Sequence, residues 1–511
     1  MTSTTSPASQ DPASAIAPPL TLKTRLAYGI GAASTGIKTR SFTAFLLLFY
    51  NQAVGLPPAM VASVILIATI YDSIMDPLIG QVSDNFRSRW GRRHPFMYAA
   101  ALPLAVGFYM LWNPPEWMSH GQLFAYMLTC LLVVRTFDTF FELPNVALGP
   151  ELAPAYNERT KLISWRKAFE TCGGLLMVLA GYRYFMAESN GGVTERSGYS
   201  EYALVAAAII FVVILVSAAG THDRIKYLRQ PPTRKLTLLG SLREIGATLN
   251  NASFIYIAIA GMIYMAAIGA RAALEVYFYL YFWAFDQAQI AILTIVQVPG
   301  SLLGVIIAPI LAGWLGKKRA TLLVWCSAMV VTLLPLALRV VDILPGNDHW
   351  IVFPVLLVET VVTQILLIAG AVLVPSMIAD IVEDSELKTG RRSEGLLYSA
   401  DNLFRKFVSG IGVFVAGLVL SVVGFSMKTP PGSVSESQLD TLALLYIPIY
   451  GGLILIAMFF VSRYRISKEQ HDDNLRRLSE IYTKAQMLPA ESELPDDKPL
   501  PRETRPNPVR P

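Results

Sequence analysis

Hydrophobic positions in this chain come in long blocks, not at the spacing of a surface helix or an edge strand. Apolar runs fall at 25–52, 59–82, 95–113, 121–148, 164–185, 202–220, 252–284, 288–315, 320–341, 350–378, 396–424 and 441–463, with short polar segments between them. Runs of roughly 20 to 30 residues are long enough to cross a ~30 Å hydrocarbon layer as helices. Spanning strands would be shorter and alternating, and a backbone in lipid has to satisfy its own hydrogen bonds. The pattern predicts an all-α integral membrane protein with twelve transmembrane helices. A polar, basic segment at 221–250 divides them into six and six.

The basic residues give this layout a direction. The segments after the second, fourth, sixth, eighth and tenth runs hold Arg87, Arg89, Arg92 and Arg93, then Arg159 and Lys161, then six bases from Arg224 to Arg243, then Lys317, Lys318 and Arg319, then Lys388, Arg391 and Arg392. The segments on the other side hold Arg196 and Lys428. Lys and Arg stay on the cytoplasmic side of short loops, so both termini are expected to be cytoplasmic in a cell inner membrane. The organisation expected is a disordered tail at 1–22, a six-helix bundle at 23–220, a cytoplasmic loop at 221–250, a second bundle at 251–463 and a polar tail at 464–511. A short amphipathic helix is expected at 467–486, and the Ser/Thr/Ala/Pro-rich start carries no basic region of a cleavable signal.

Composition supports this reading. Of 511 residues, 53% are hydrophobic and 15% charged, less charge than a soluble chain of this size carries. The net charge of +5 is a consequence of topology, and no nucleic-acid partner is inferred from it. The cysteines Cys130, Cys172 and Cys326 lack metal-ligand spacing and are expected to be small buried side chains. No metalloprotease HExxH, phosphate-binding glycine loop or Ser/His/Asp order is present. An enzyme or an ATP-driven pump is therefore not expected, and neither is a cofactor. A sensor that kept a carrier fold is a weaker alternative, because the short tails offer no signalling domain.

The charges inside the apolar runs are the candidate chemistry. Asp72 and Asp76 lie one turn apart on one face of the second run. Close carboxylates at membrane depth repel, so they have to hold a cation, a proton or basic partners. Arg135, Asp138, Thr139 and Glu142 form a polar stripe on the fourth run, where an Arg135–Asp138 pair would be the structural alternative to substrate binding. Lys38 and Arg40 fall near the middle of the first run and Arg271 within the seventh. Arg40 and Arg271 would suit an anionic cargo unless acids absorb them, as Glu275 could for Arg271 and Glu170 for Arg166. The aromatic cluster from Tyr277 to Trp283 is expected to form an interfacial belt.

The six-plus-six layout is that of the major facilitator superfamily, in which substrate binds between two bundles. Gly80–Arg93 and the shorter Gly313–Arg319 echo one another after the second and eighth runs. More specifically, the chain resembles the glycoside–pentoside–hexuronide (melibiose permease-like) cation symporter family of that superfamily. The resemblance rests on Asp72-x3-Asp76-Pro77, Gly80-x3-Asp84, Arg89-Trp90-Gly91-Arg92-Arg93-x-Pro95, Leu143-Pro144-x2-Ala147-Leu148-x-Pro150-Glu151, Glu158-Arg159-Thr160, Arg166, Asp380, Thr389-Gly390-Arg391-Arg392-x-Glu394-Gly395 and Lys406.

It implies cation-coupled symport of a glycoside, oligosaccharide or related sugar by alternating access, with Na+ or H+ as coupling ion. Asp72, Asp76 and Thr139 would be cation ligands, with Asp72 and Asp76 holding the metal if the ion is Na+. Glu142, Arg166, Lys406, Asp138, Arg40 and Arg271 would be the substrate-binding set. Gly80, Asp84, Gly91, Arg92 and Arg93 would form the cytoplasmic gate. The partners implied are a small-molecule substrate and membrane lipid, and the carrier is expected to function as a monomer. Three departures bear on cargo and ion. Met75 replaces an asparagine beside the second carboxylate, Gly36 replaces a galactoside-binding aspartate, and Val146 and Ala371 stand at tryptophan positions. A uronide or an amphiphilic solute is the alternative cargo.

Overall fold

The computed structural model describes residues 20–153, 156–227, 252–389, 394–425, 427–430 and 432–464, with Pro18 and scattered positions between 469 and 480. The described residues of the chain are almost wholly helical. The first span is α1 (Leu22–Ile30) and α2 (Ala32–Ser41), continued by wide π turns at Phe42–Leu46 and Phe49–Val54. Thr21 caps its start by accepting from the Thr24 amide, and Gly55, at φ +93°, ends it in the left-handed region open to glycine. The remaining helices of the first half are α3 (Pro58–Asn85), α4 (His94–Leu111), α5 (His120–Leu152), α6 (Tyr156–Ala180) and α7 (Arg196–His222). The second half holds α8 (Ala252–Tyr277), α9 (Gln287–Leu315), α10 (Lys317–Val340), α11 (Val352–Thr389), α12 (Glu394–Val422) and α13 (Glu436–Ser462). Among the described residues, ten helices are long and apolar enough to cross a membrane. The first span is divided by its wide turns, and α6 carries the charges from Glu158 to Glu170.

The two halves repeat one packing scheme. In the first, the opening span packs on α6 and α7, α3 on α5, and α4 on α7. In the second, α8 packs on α12 and α13, α9 on α11, and α10 on α13. Backbones approach closely where side chains vanish. A Cβ added to Gly36 on α2 would stand 1.9 Å from the Glu170 carbonyl oxygen of α6. One added to Gly412 on α12 would stand 2.0 Å from the Ala266 carbonyl oxygen of α8. Small residues permit such contacts in membranes, where packing rather than hydrophobicity drives helix association.

The halves meet along α3 and α12, and further contacts join them at the end away from the basic loops. There Tyr277 Oη donates to Asn51 Oδ1 at 3.0 Å, the Thr429 amide donates to Gln52 Oε1 at 2.8 Å, and Gly417 lies against Ala62. At the basic end, the ion pairs Arg92–Glu151, Arg93–Glu151 and Lys317–Asp380 each stay within one half. On the side of the 1–2 and 11–12 connections the halves are joined by these contacts.

Several expectations need correction. Helix α6 starts at Tyr156, so Arg159 and Lys161 are helical and not in a loop. Hydropathy marks the depth of the apolar layer, and a polar but helix-competent stretch extends beyond it. Tyr277 to Trp283 do not form an exposed belt. All of the aromatic side chains there are buried, in a π turn at Phe278–Phe282 whose rings pack on Phe425 and Tyr446. Cys130 is buried, but Cys172 is exposed on α6. Most of the 221–250 loop, the start of the chain and nearly all of the tail beyond 464 lie outside the described residues. The described positions between 469 and 480 are helical.

Candidate functional site

Asp72 and Asp76 reach the middle of the molecule because α3 is a continuous apolar helix up to Pro77. Pro77 has no N–H for the Ser73 carbonyl, which loosens the turn carrying both carboxylates. Asp72 is 3% exposed. Its Oδ2 receives Arg135 Nη1 at 2.8 Å and Lys406 Nζ at 2.7 Å. Lys406 also reaches Asp76 Oδ2 at 2.5 Å. Thr139 Oγ1 lies 3.3 Å from Asp72 Oδ1 and 3.0 Å from Asp76 Oδ1. The two carboxylates, their shared hydroxyl and the lysine thus form one cluster. Lys406 comes from α12 in the other half, so the cluster ties the halves together.

The rest of the α5 stripe is spent on neighbouring helices. Asp138 forms a buried ion pair with Lys38 of α2, and Arg135 pairs with Asp72. The Arg135–Asp138 pair within α5 does not form. Arg166 turns to Glu142, at 3.4 Å, and to Asn145, at 3.3 Å, while Glu170 pairs with Lys167. The expected Arg166–Glu170 pair is therefore absent, because residues four apart on α6 are outcompeted by a partner on α5. Asn145 was not singled out from the sequence, and its only signal was its place inside the Leu143–Glu151 motif. Among the described residues the cluster balances four acids, Asp72, Asp76, Asp138 and Glu142, against four bases, Arg135, Lys406, Lys38 and Arg166.

A cavity of about 280 Å³ adjoins the cluster between the halves. Lys38, Thr39, Thr43 and Arg135 line it from one side, and Gly269, Ala272 and Ser409 from the other. Arg40 is exposed and lines a neighbouring pocket of about 60 Å³ together with Glu275. Arg271 does not line the central cavity. It pairs with Glu275 at 3.3 Å within the second half.

The Gly80–Arg93 loop folds back on its own half. Arg93 is 3.4 Å from Asp84 and 2.7 Å from Glu151, and Arg92 also binds Glu151. Gly91, at φ +74°, makes the turn into α4 and sits against Ile225. Gly80 faces Leu143 of α5.

The sequence profile of the family described as MFS/sugar transport protein matches residues 27–468. The chain is 26% identical to the isoprimeverose transporter of Lactiplantibacillus pentosus, over 87% of this chain and 88% of that protein. It is 24% identical to the inner membrane symporter YicJ of Escherichia coli (strain K12), over 80% of this chain and 84% of that protein. In fold it is similar to a point mutant of the nucleoside transporter NupG, with a TM-score of 0.61 at 15% identity, covering 86% of this chain and 99% of that one. With the profile spanning nearly the whole described chain, and with two six-helix halves around a central charged cluster, the protein belongs to the MFS/sugar transport family, the glycoside–pentoside–hexuronide cation symporters of the major facilitator superfamily.

Proposed function

We propose that this transporter couples the entry of Na+ or H+ at Asp72 and Asp76 to uptake of a glycoside or oligosaccharide. The observation that carries the reading is Lys406, whose ammonium bridges both carboxylates from the opposite half. An ammonium there occupies the place of a monovalent cation. When Na+ or a proton arrives, the attraction holding Lys406 falls, and the tie between the halves loosens while the lysine becomes free to meet cargo. Thr139 offers a third oxygen to Na+, a hard cation that prefers oxygen ligands. Glu142, with Arg166 behind it, is the acceptor for sugar hydroxyls, since ionised carboxylates accept strong hydrogen bonds. The bundles at 23–220 and 251–463 rock about this site, the Asp84–Arg93 segment governs the basic side, and the carrier works as a monomer in an inner membrane with cytoplasmic termini.

Arg40, exposed beside the cavity and without an ion pair among the described residues, favours a carboxylate-bearing cargo such as a uronide as the second reading. Thermal stabilisation of the purified protein by neutral glycosides and by uronides, each at two pH values with and without Na+, separates the possibilities. A bound ligand raises the melting point by mass action. A shift with neutral glycosides that grows with Na+ supports sodium coupling, and one that follows pH alone supports proton coupling. A uronide-only shift lost in Arg40→Gln supports the second reading. No shift with any sugar rules out both cargo classes.

A further inference from the structure

The second half contains a half-buried charged cluster that the mechanism above does not use. Arg271 and Glu275 on α8 face Glu359 on α11 around a cavity of about 50 Å³. Arg271 is committed to Glu275, whose carboxylate also accepts from Tyr279 Oη at 3.0 Å and Gln297 Nε2 at 3.4 Å. Glu359 is treated differently. Among the described residues it has no ion-pair partner, and it accepts only from Thr363 at 2.8 Å and from its neighbour Thr360 at 3.4 Å. One arginine thus faces two acids, whereas the cluster around Asp72 is balanced.

Two further observations point into this cavity. Tyr446 lines it while 3% exposed, and among the described residues its hydroxyl makes no hydrogen bond. Thr332, on the same wall, continues the hydroxyl chain to Thr363 at 3.3 Å. The cavity also neighbours the central one through a shared wall. Glu275 and Tyr279 line both it and the pocket of about 60 Å³, and Thr43 and Ala272 line both that pocket and the central cavity. The remaining charge nearby is Arg40, which lines the middle pocket with Glu275 and not with Glu359.

We propose that Glu359, with the Tyr446 and Thr332 hydroxyls, holds a monovalent cation, H+ or Na+, as a second cation site in the C-terminal bundle. Two acids against one arginine leave one negative charge uncompensated, which in an apolar interior needs a charge partner, and the room available exceeds the ~10–15 Å³ that one water requires. The proposal rests on the cation-coupled reading above and adds a second ion to it.

The test is cation binding to the full-length purified protein, with radiolabelled Na+ and, separately, with a pH-indicator dye that counts protons taken up on acidification. Wild type is expected to bind two cation equivalents per chain. Asp72→Asn removes one, Glu359→Gln removes the other, and the double variant removes both. If the equivalent lost in Glu359→Gln is Na+, Tyr446→Phe weakens it as well. If it is a proton, Tyr446→Phe leaves the count unchanged. Melting curves of Glu359→Gln and Tyr446→Phe matching wild type show that the fold is intact. If Glu359→Gln folds normally and binds both Na+ and protons as wild type does, the second site is overturned while the Asp72 site stands. If instead Asp72→Asn changes nothing and Glu359→Gln loses an equivalent, the second site survives and the reading of the first fails.

Discussion

Asp72→Asn and Asp76→Asn are expected to abolish cation-driven accumulation while leaving downhill exchange of cargo. Each change removes one of the two negative charges that Lys406 bridges: Asp72→Asn leaves Asp76 with Lys406 and Thr139, and Asp76→Asn leaves Asp72 with Lys406, Arg135 and Thr139. A loss of only ~1.4 kcal/mol in cation binding is a tenfold loss of affinity, and removing a full charge at a buried site costs more. Asp72 also compensates two basic groups while 3% exposed, so its loss leaves buried positive charge. Breaking such a pair typically costs about 3–5 kcal/mol, so Asp72→Asn should melt well below wild type. Asp76, which is more exposed, should lower the melting point less. Lys406→Gln should act in the opposite sense on the ion, because it removes the competitor and tightens cation binding. Uphill transport surviving in both aspartate variants would rule out the carboxylate pair as the coupling site.

Gly36→Asp places an aspartate where the resemblance implies a galactoside ligand in the first span, yet it is expected to destroy folding, not to confer galactoside binding. Any Cβ at this position would stand 1.9 Å from the Glu170 carbonyl oxygen, and 3.1 Å from the Glu170 Cα. The obstacle is backbone, which cannot rotate aside as a side-chain tip would. Overpacking usually costs about 1–3 kcal/mol, and here it separates α2 from α6 along the wall that bears Lys38 and Arg166. Gly36→Ala is the sharper probe, because it adds volume without charge. It should reduce the yield of monodisperse protein and lower the melting point. An alanine variant that elutes and melts like wild type would show that the two helices can part without cost.

The span order and the carboxylate pair were legible in the chain because both follow from one-dimensional rules: block hydropathy, and the i, i+4 repeat of a helix. The ion-pair partners were not. Arg135 could reach Asp138 within its own helix or Asp72 on the next, and only the packing of α3 against α5 decides for Asp72. The same competition moved Arg166 from Glu170 to Glu142. Tyr277 to Trp283 show a second limit. Aromatic composition near a span end is common to an interfacial belt and to a buried seam, and the seam forms here because the π turn faces Phe425 and Tyr446. Arg271 and Glu275 were legible because their partner lies one turn away on the same helix.

The matched acids and bases around Asp72 have an electrical consequence. With Asp72, Asp76, Asp138 and Glu142 offset by Arg135, Lys406, Lys38 and Arg166, this cluster carries no net charge when no ion is bound. Reorientation of that cluster in the empty carrier therefore moves no current and is insensitive to voltage. One bound cation makes the same movement carry a full elementary charge, on which a membrane potential acts with about 2.3 kcal/mol per 100 mV. On the cation-coupled reading proposed above, the potential would therefore act on this cluster in its loaded stroke and not in its empty one.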